Sequence, residues 1–545
     1  MATSRSIRSY RVLENRLWLR EMALSAALAV VIATVATGAL TENLDRGADL
    51  GAVLDRAAER APSTGAAADE GPLEWVPAIG GRQEPTVVAD GGRFDIVIEG
   101  GRIMDPATGF DHVANVGIEE GSVVAITEEE IQGRKTIDAR DRVVAPGFID
   151  ILSYEPNPYG IWYKIGDGVT TNLGMHGLNA EAADFFARFE GNSPAHYGGA
   201  WDHAYVRGIL MEIGVGAEAT GAQIAELRAR AEQGLKDGWI GVDFELEYAP
   251  GTSFEEVRTI SQLAKRYNVP AFFHGRYSDM EEPGTNFDTL DEILRTARET
   301  GVAVHVEHIN STGGTFSMKR SLKMLEDARE QEGLDVTACT YPYDFWATSL
   351  ASERFADGWQ ERFRIDYQDL AIPGTGERLT AQSFATYRAQ RKIAAAFAIP
   401  EADIRESLRS DFVMIGSDGI LESRENNNHP RAAGTFARVL GRYVREERLI
   451  GLMDGLSKMT IQPARRLQAQ APAMRTKGRL QIGSDADVTI FDPATVEDRA
   501  TLEHPNRFSK GIDWVIVMGT IVKSPGRLFK GRKPGQPIKG DYSNL

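Results

Sequence analysis

Short apolar runs alternate with helical patterns through the middle of the chain. The runs have the length and composition of buried strands, and they cover residues 148–152, 169–175, 240–246, 271–273, 302–306, 336–339 and 412–415. Patterns with the period of a helix, such as 221–232 and 254–265, lie between several of them. This alternation predicts a parallel sheet covered by helices, so the fold class is α/β. An eighth strand is not placed by the pattern.

Strand-like segments on both sides of this region predict a second, β-rich unit. Residues 94–103, 115–121 and 122–126 have strand chemistry, and residues 486–492 and 512–519 are similar to them. We therefore expect a small β-sandwich built from 93–145 and 476–530. It would bracket the α/β region at 146–475 and be followed by a tail at 531–545.

The N-terminus has a charge pattern of its own. Several arginines precede an uncharged apolar stretch at 22–40, which is about the length that a helix needs to cross a bilayer. We therefore expect a basic cytoplasmic leader at 1–21, a transmembrane or signal segment at 22–40 and a linker at 41–92. A cleaved secretory signal remains open, but the long polar leader favours a retained anchor. Both alternatives place the body outside the cytoplasm, which in a bacterium is the periplasm.

Composition excludes some classes of function. The chain has 545 residues and a formal net charge of −17, which argues against nucleic acid as a partner. Its single cysteine, Cys339, excludes an internal disulfide framework. Membrane contact is expected through the N-terminal segment alone, and a homo-oligomer is compatible with these properties.

Four side chains that can bind a metal or a proton directly follow apolar runs. They are His176, His274, His308 and Asp418. Three neutral imidazoles and a carboxylate around an open position make the ligand set of a hydrolytic zinc site. Ligands at distant strand ends suggest a (β/α)₈ TIM-like barrel, where chemistry gathers at the carboxyl ends of the strands. The competing interpretations are buried histidines satisfied by hydrogen bonds and, for Asp418, a helix cap.

Several short motifs occur in an order that is typical of one enzyme family. They are Ala145-Pro-Gly-Phe-Ile-Asp150, Gly168-Val-Thr-Thr171, Tyr341-Pro-Tyr343, Gly416-Ser-Asp-Gly419, His429-Pro-Arg-Ala-Ala-Gly-Thr-Phe436, Gly483-Ser-Asp-Ala-Asp-Val488 and Gly511-Ile-Asp-Trp-Val515. Together they resemble the amidohydrolase superfamily, and within it the N-acyl-D-amino-acid deacylases (D-aminoacylases). The resemblance runs from about residue 94 to residue 519. It implies a metal-bearing barrel plus a small β-sandwich formed by both ends of the folded region.

Two departures from the family pattern change the expected metal site. Where the superfamily has His-x-His after the first barrel strand, this chain has Leu152 and Tyr154, so the metal held by that pair should be lost. Where the deacylases have a cysteine ligand, this chain has His176. With His274 and His308 at the family's remaining ligand positions, the resemblance implies one divalent ion, with Zn²⁺ expected, held by three histidines. It also implies that Asp418 is the general base. The histidine at 176 could instead mark the loss of a ligand.

The resemblance also assigns residues that contact the substrate. Arg431 matches the arginine that binds the carboxylate of the amino acid, a task suited to a planar guanidinium, although a surface ion pair is the alternative. Tyr341 matches a tyrosine that helps to hold the substrate. Tyr154 is either a packing residue or a hydrogen-bond donor to the substrate carbonyl. Asn310 stands where the family has a lysine, so one cationic partner of the substrate is lost.

Three functional hypotheses follow. The first is a metal-dependent hydrolase that cleaves the amide bond of an N-acyl amino acid, of D or L configuration, or of a related small amide, by metal-activated water with Asp418 as base. The second is an inactive amidohydrolase-fold binding protein at the membrane, and retention of Asp418 argues against it. The third is an enzyme that acts on a cyclic amide or a dipeptide, which the change at Asn310 keeps open.

Overall fold

The computed structural model describes residues 94–423 and 429–542. The leader, the apolar segment and the linker predicted for residues 1–92 lie outside the described residues. Within the described part of the chain, every helix is too short or too polar to span a membrane.

The two ends of the described chain join in one nine-stranded sheet. Its first part is formed by Phe94–Asp105, Phe110–Glu119, Ser122–Thr127, Gly133–Asp138 and Val143–Pro146, and its second part by Val488–Phe491, Ile512–Val517, Thr520–Ser524 and Arg527–Leu528. Val143–Pro146 pairs antiparallel with Val488–Phe491, and this pairing connects the two parts. Alternating apolar residues from both, such as Ile98, Val116, Val488 and Ile516, share one core.

Parallel strands between these ends form two ladders. One contains Phe148–Asp150, Val169–Gly174 and His196–Gly199, and the other contains Trp201–Asp202, Val242–Glu245, Ala271–His274, Val304–Val306, Val336–Thr340 and Val413–Ile415. The ladders meet at Ala200, whose N–H donates to Gly174 just before the Trp201 N–H donates to Gly241. The last and first strands also meet, because the Asp418 N–H donates to the Leu152 carbonyl at 2.7 Å.

The eighth parallel strand is the broken segment from His196 to Asp202, which the apolar pattern did not reveal. Its sequence, His-Tyr-Gly-Gly-Ala-Trp-Asp, has glycine where a buried strand usually has a β-branched residue. A Cβ on Gly198 would lie 2.6 Å from the backbone oxygen of Ile538, and one on Gly199 would lie 2.6 Å from that of Gly174. Close backbone packing therefore requires these glycines and removes the signal.

Helices follow most of the parallel strands and bury one face against them. Side-chain caps mark several starts: Thr220 caps Gly221–Lys236, Ser253 caps Phe254–Arg266 and Thr285 caps Asn286–Thr300. The other α-helices are Ile161–Gly166, Ala182–Phe189, His203–Tyr205, Met318–Glu330, Trp359–Phe363, Ala381–Ala389, Glu401–Arg409, Arg431–Arg438, Leu452–Met459 and Ile461–Leu467. Val206–Leu210 and Val439–Glu446 are π-helical, and Glu353–Phe355, Tyr367–Asp369 and Pro472–Arg475 are 3₁₀ turns.

An insertion separates the last two parallel strands, Val336–Thr340 and Val413–Ile415. It contains a four-stranded antiparallel sheet of Trp346–Ser349, Leu370–Ile372, Glu377–Arg378 and Ile393–Ala396. Trp346 from this sheet contacts the ring of Phe355, which in turn contacts Trp359, so the insertion has an aromatic cluster of its own. This element was not foreseen from the sequence, and it contributes one wall of the cavity described below.

Candidate metal centre

Three predicted histidines meet at the carboxyl ends of the parallel strands. The ring centres of His176 and His274 are 5.5 Å apart, those of His176 and His308 are 5.4 Å apart, and those of His274 and His308 are 4.8 Å apart. His274 ends its strand, whereas His176 and His308 follow theirs by two residues. The convergence arises because parallel strands all present their carboxyl ends at one edge.

A fourth ligand group, Glu307, was missed by the sequence analysis. His176, His274, Glu307 and His308 each offer a ligand atom, and these atoms all lie within 4.8 Å of one another. Glu307 is fully buried, and neither carboxylate oxygen has a hydrogen-bond partner. Its signal was a charged residue directly after the apolar run 302–306, in Val-His-Val-Glu-His, because a carboxylate is costly to bury at a strand end unless it has a partner.

The surroundings of His274 fit a metal ligand. Its Nε2 lies 3.0 Å from Glu247, while its Nδ1 is buried without a hydrogen-bond partner. Glu247 is held in turn by Ser278 and Arg362. A carboxylate on one imidazole nitrogen fixes the ring so that the other nitrogen can face a metal. Burial lowers the pKa of both His274 and His308 well below the usual value, which favours the neutral, ligating form.

His176 faces three carboxylates instead of one. Its Nδ1 lies 2.9 Å from Glu307, although not aligned for a hydrogen bond, 3.9 Å from Asp243 and 4.0 Å from Glu245. Burial opposes protonation of this ring, but Glu307 and its neighbours outweigh it and raise the pKa of His176 well above the usual value. Burial also raises the pKa of Glu307 to about 7 and that of Glu245 to about 8. Without a bound cation, these carboxylates are therefore partly protonated near neutral pH, whereas a bound cation would favour their ionised, ligating forms.

Asp418 occupies the position of a proton-transfer group beside the histidines. One oxygen accepts from the Tyr154 hydroxyl at 2.8 Å, and the other lies 2.8 Å from Arg431 Nη2 and 3.7 Å from His308 Nε2. Burial alone would raise the pKa of Asp418, but the Arg431 guanidinium and the neighbouring His308 hold it at about 2. The carboxylate is therefore ionised and ready to accept a proton at neutral pH.

Arg431 is buried in the site, so the alternative of a surface ion pair is wrong. Its Nη2 contacts Asp418, and its Nε and Nη1 are buried without hydrogen-bond partners. The guanidinium lies 4.5 Å from the ring centre of Tyr341, whose hydroxyl is also buried without a partner. Unpaired buried donors such as these indicate a polar ligand, because leaving them unpaired costs free energy.

The two positions that depart from the family pattern have different surroundings. Leu152 is fully buried in an apolar cluster with Ile149, Met175 and Cys339, so it packs and does not reach the metal-binding groups. Tyr154 instead donates to Asp418, so its hydroxyl is engaged by the base; donation to the substrate carbonyl stays a prediction. Asn310 is buried and donates to the Tyr341 carbonyl, so it supports the backbone next to Tyr341.

A cavity of about 300 Å³ joins these groups. Its walls include the three histidines, Asp418 and Arg431, together with Trp346 and Arg354 from the insertion. Arg354 is only 2 % exposed, lies 3.4 Å from Glu247, donates to the Ser311 carbonyl and stacks 4.2 Å from the centre of Trp346. The sequence analysis missed Arg354, because no pattern linked the insertion to the strand ends.

Comparisons with known proteins agree with this geometry. The sequence model of the amidohydrolase family matches residues 398–523. The chain is 30% identical over 493 residues to the N-acyl-D-glutamate deacylase of Alcaligenes xylosoxydans xylosoxydans, covering 83% of this chain and 98% of that protein. It belongs to the N-acyl-D-amino-acid deacylase family of amidohydrolases. Membership confirms the resemblance that the motifs indicated.

Solved deacylase structures share the fold. The N-acyl-D-glutamate deacylase of Bordetella bronchiseptica, complexed with zinc and a phosphonate mimic of the tetrahedral intermediate, is 27% identical, with a TM-score of 0.71 over 82% of this chain and 100% of that chain. A D-aminoacylase with a binuclear metal centre, described as activated by one metal and attenuated by the second, is 25% identical, with a TM-score of 0.71 over the same shares. This member of the deacylase family is a metal-dependent enzyme that hydrolyses amide bonds. The hypothesis of an inactive binding protein is not favoured.

Proposed function

We propose that the protein hydrolyses the amide bond of N-acyl-D-amino acids and uses a divalent metal ion, with zinc as the expected ion. One observation carries this proposal: ligand atoms of His176, His274, His308 and Glu307 lie within 4.8 Å of one another. The three histidines line a cavity that Asp418 and Arg431 also line. The D configuration is supported by the names of the relatives, among them a D-aminoacylase at 29% identity.

The four clustered groups fit a zinc ion, because imidazole and carboxylate are both ligands that zinc prefers. When bound, such an ion lowers the pKa of its water to about 7 and polarises the carbonyl of the scissile amide. His274 and His308 would hold it as neutral imidazoles, and Glu247 would keep the His274 ring in place through its 3.0 Å contact.

Asp418 would move the proton. An ionised carboxylate can take a proton from the attacking water and return it to the amine nitrogen of the leaving group. Tyr154 and Arg431 keep both oxygens of Asp418 oriented, each at 2.8 Å. Arg431 would use its unpaired Nε and Nη1 on the carboxylate of the amino acid, and Trp346 would exclude water from one wall of the cavity.

A second guanidinium in the cavity favours substrates whose amino acid has an acidic side chain. Arg354 has a buried Nε without a partner, and its charge is only partly offset by Glu247 at 3.4 Å. Two arginines that face one cavity can pair with two carboxylates. The names of the glutamate deacylase relatives support this choice. We therefore expect N-acetyl-D-glutamate to be hydrolysed with a higher kcat/KM than N-acetyl-D-leucine.

We also infer that the eight parallel segments close into a (β/α)₈ barrel. The bond from the Asp418 N–H to the Leu152 carbonyl supports closure, because it joins the end of the last strand to the end of the first. Closure explains how ligands from strands far apart in sequence reach one cavity.

The function is tested by metal removal and by substitution of one ligand. Chelator-treated protein should lose hydrolysis of N-acetyl-D-amino acids, and Zn²⁺ should restore it. His274→Ala should lose both the bound metal and at least about 10³-fold of kcat/KM, because a ligand and the activation of water are lost together. His112→Ala, at an exposed histidine of the terminal sheet, is the matched control and should retain both. Full activity in metal-free protein would contradict the proposal.

A further inference from the structure

The carboxylates on one side of His176 outnumber the groups that can neutralise them. Asp243 and Glu245 belong to the strand Val242–Glu245. Because they are two residues apart, their side chains lie on the same face of the strand. Glu307 approaches the same imidazole from the end of a different strand. His176 Nδ1 therefore has carboxylate oxygens at 2.9, 3.9 and 4.0 Å, from Glu307, Asp243 and Glu245 respectively.

The polar atoms of this group are buried and lack partners. Among the residues that the structure describes, Asp243 Oδ1, both oxygens of Glu307 and His176 Nδ1 have no hydrogen-bond partner, and these three residues are at most 5 % exposed. Asp243 Oδ2 accepts from the Gly177 N–H at 3.0 Å. Unpartnered carboxylates are too costly to bury as anions, so each of them is either protonated or paired with a cation.

The arginines described around the cavity already have carboxylate partners of their own. Arg431 pairs with Asp418, Arg354 pairs with Glu247, and Arg362 pairs with both Glu247 and Asp279. One divalent ion among the three histidines leaves Asp243, Glu245 and Glu307 with three negative charges against two positive. A second divalent ion would supply the missing positive charge and keep these carboxylates ionised, whereas without it they are neutralised by protonation.

The groups divide into two ligand sets that share His176, which can bind an ion at each ring nitrogen once the ring has lost its N–H proton. One set is His176, His274, Glu307 and His308, and the other is His176, Asp243 and Glu245. Glu307 lies between them, since it belongs to the first set and is 2.9 Å from the Nδ1 that faces the second. Two atoms bound to one ion at about 2.1 Å each are separated by about 3 to 4 Å, which the contacts of Asp243 and Glu245 with His176 match.

We propose that a second divalent cation binds between His176, Asp243 and Glu245, adjacent to the ion of the proposed hydrolytic centre. This inference rests on the proposed function, because it assumes that the first ion is bound by His176, His274, Glu307 and His308. The chain has lost the first-strand pair, with Leu152 and Tyr154 in its place. The second ion therefore lies at the end of the strand Val242–Glu245. Two carboxylates and one imidazole suit Mn²⁺ or Zn²⁺.

The test measures metal stoichiometry as well as activity. Chelator-treated full-length protein is dialysed to saturation against Mn²⁺ or Zn²⁺, and bound metal per chain is measured by elemental analysis. The wild type should bind two ions, whereas Asp243→Asn and Glu245→Gln should each bind one. Glu155→Gln, an equally conservative change at a carboxylate that pairs with Arg188 on the surface, is the matched control and should bind two.

Electron paramagnetic resonance of the Mn²⁺-loaded protein gives a second readout. The wild type should show the spectrum of two spin-coupled ions, and Asp243→Asn should show the spectrum of an isolated ion. An isolated-ion spectrum together with one bound ion per chain after removal of free Mn²⁺ shows that the first site still binds and therefore that this variant is folded.

The outcomes separate this inference from the proposed function. Saturation of the wild type at one ion, or two ions retained in both Asp243→Asn and Glu245→Gln, overturns the second site. If the protein still hydrolyses the amide bond in either of these two outcomes, the proposed function stands although the second metal site is refuted. If the wild type binds two coupled ions but hydrolyses no N-acyl-D-amino acid, the second site stands and the proposed function fails.

Discussion

Asp418 has a backbone conformation that side chains rarely adopt. Its φ is 48°, and His308 also has a positive φ of 23°. Such conformations cost about 1–3 kcal/mol and persist only where the surroundings enforce them. For Asp418 the enforcing contacts are the bond from its N–H to Leu152 and the contacts of its carboxylate with Tyr154 and Arg431. Strain at two residues of one cavity is consistent with a preorganised site.

The link between Arg431 and Asp418 predicts a change in pH dependence. Arg431 is the largest influence that lowers the pKa of Asp418 against the effect of burial. Arg431→Met removes this charge, so burial dominates and the pKa of Asp418 rises. Asp418 acts as a base only when ionised, so the acid limb of kcat/KM should move to higher pH. The measurement is the pH profile of kcat/KM on an N-acyl-D-amino acid.

Arg431→Lys is the control for this experiment, since it keeps the positive charge but not the planar fork. Its acid limb should stay close to that of the wild type while KM rises. If Arg431→Met lowers kcat/KM with an unchanged acid limb, Arg431 binds substrate only, and its influence on Asp418 is refuted.

At the level of single residues, the sequence predicted side chains that stand directly after apolar runs. His176, His274, His308 and Asp418 were found in this way, and the structure brings all four to one cavity. Glu307 also stands directly after such a run, but it was passed over because three histidines already completed the expected ligand set. Arg354 was missed because it lies in the insertion. The spacing of residues along the chain does not show how the insertion packs against the ends of the strands.

At the level of elements, the broken strand from His196 to Asp202 shows where pattern reading fails. Gly198 packs against the backbone of Ile538, near the C-terminus, and this contact is invisible in the local sequence. We expect Gly198→Ala to destabilise the protein by about 1–3 kcal/mol, because the new methyl group meets a backbone atom that cannot move aside. The measurement is the shift in thermal unfolding temperature.

Gly208→Ala is the matched control, since a Cβ at Gly208 meets nothing within 4 Å. Its unfolding temperature should equal or exceed that of the wild type. Equal stability of Gly198→Ala and Gly208→Ala would contradict the account of the strand.

At the level of the whole molecule, the sheet formed by both ends of the described chain fixes the position of the first parallel strand. Val143–Pro146 pairs with Val488–Phe491, and Phe148–Asp150 follows directly. Asp150 then accepts from Ser417 and from the buried Lys164 at 2.7 Å. The terminal sheet therefore holds one side of the cavity, and Ser417 connects this side to Asp418.

We propose that the apolar segment at 22–40 attaches the enzyme to a membrane, with the hydrolase outside the cytoplasm. The pattern of arginines before this segment supports the orientation. Full-length protein should sediment with membranes, and protein lacking residues 1–40 should remain soluble with the same activity per bound metal. The measurement is fractionation followed by assay and N-terminal sequencing.

An intact N-terminus in the membrane fraction distinguishes a retained anchor from a cleaved signal. A new N-terminus directly after the small residues Thr37 and Ala39 would indicate a cleaved signal. Full-length protein found in the soluble cytoplasmic fraction would refute both alternatives.

The sequence by itself determined the alternation of strands and helices, the union of both ends in β structure, and the residues that follow the strands, because these properties depend on local periodicity and on short motifs. Only the tertiary structure decided that Glu307, Asp243 and Glu245 face His176, and that Arg354 enters the cavity from the insertion. The physical reason is that the charge balance and the shape of the cavity depend on side chains from several elements that are distant in sequence. A local sequence pattern cannot determine which of these side chains meet.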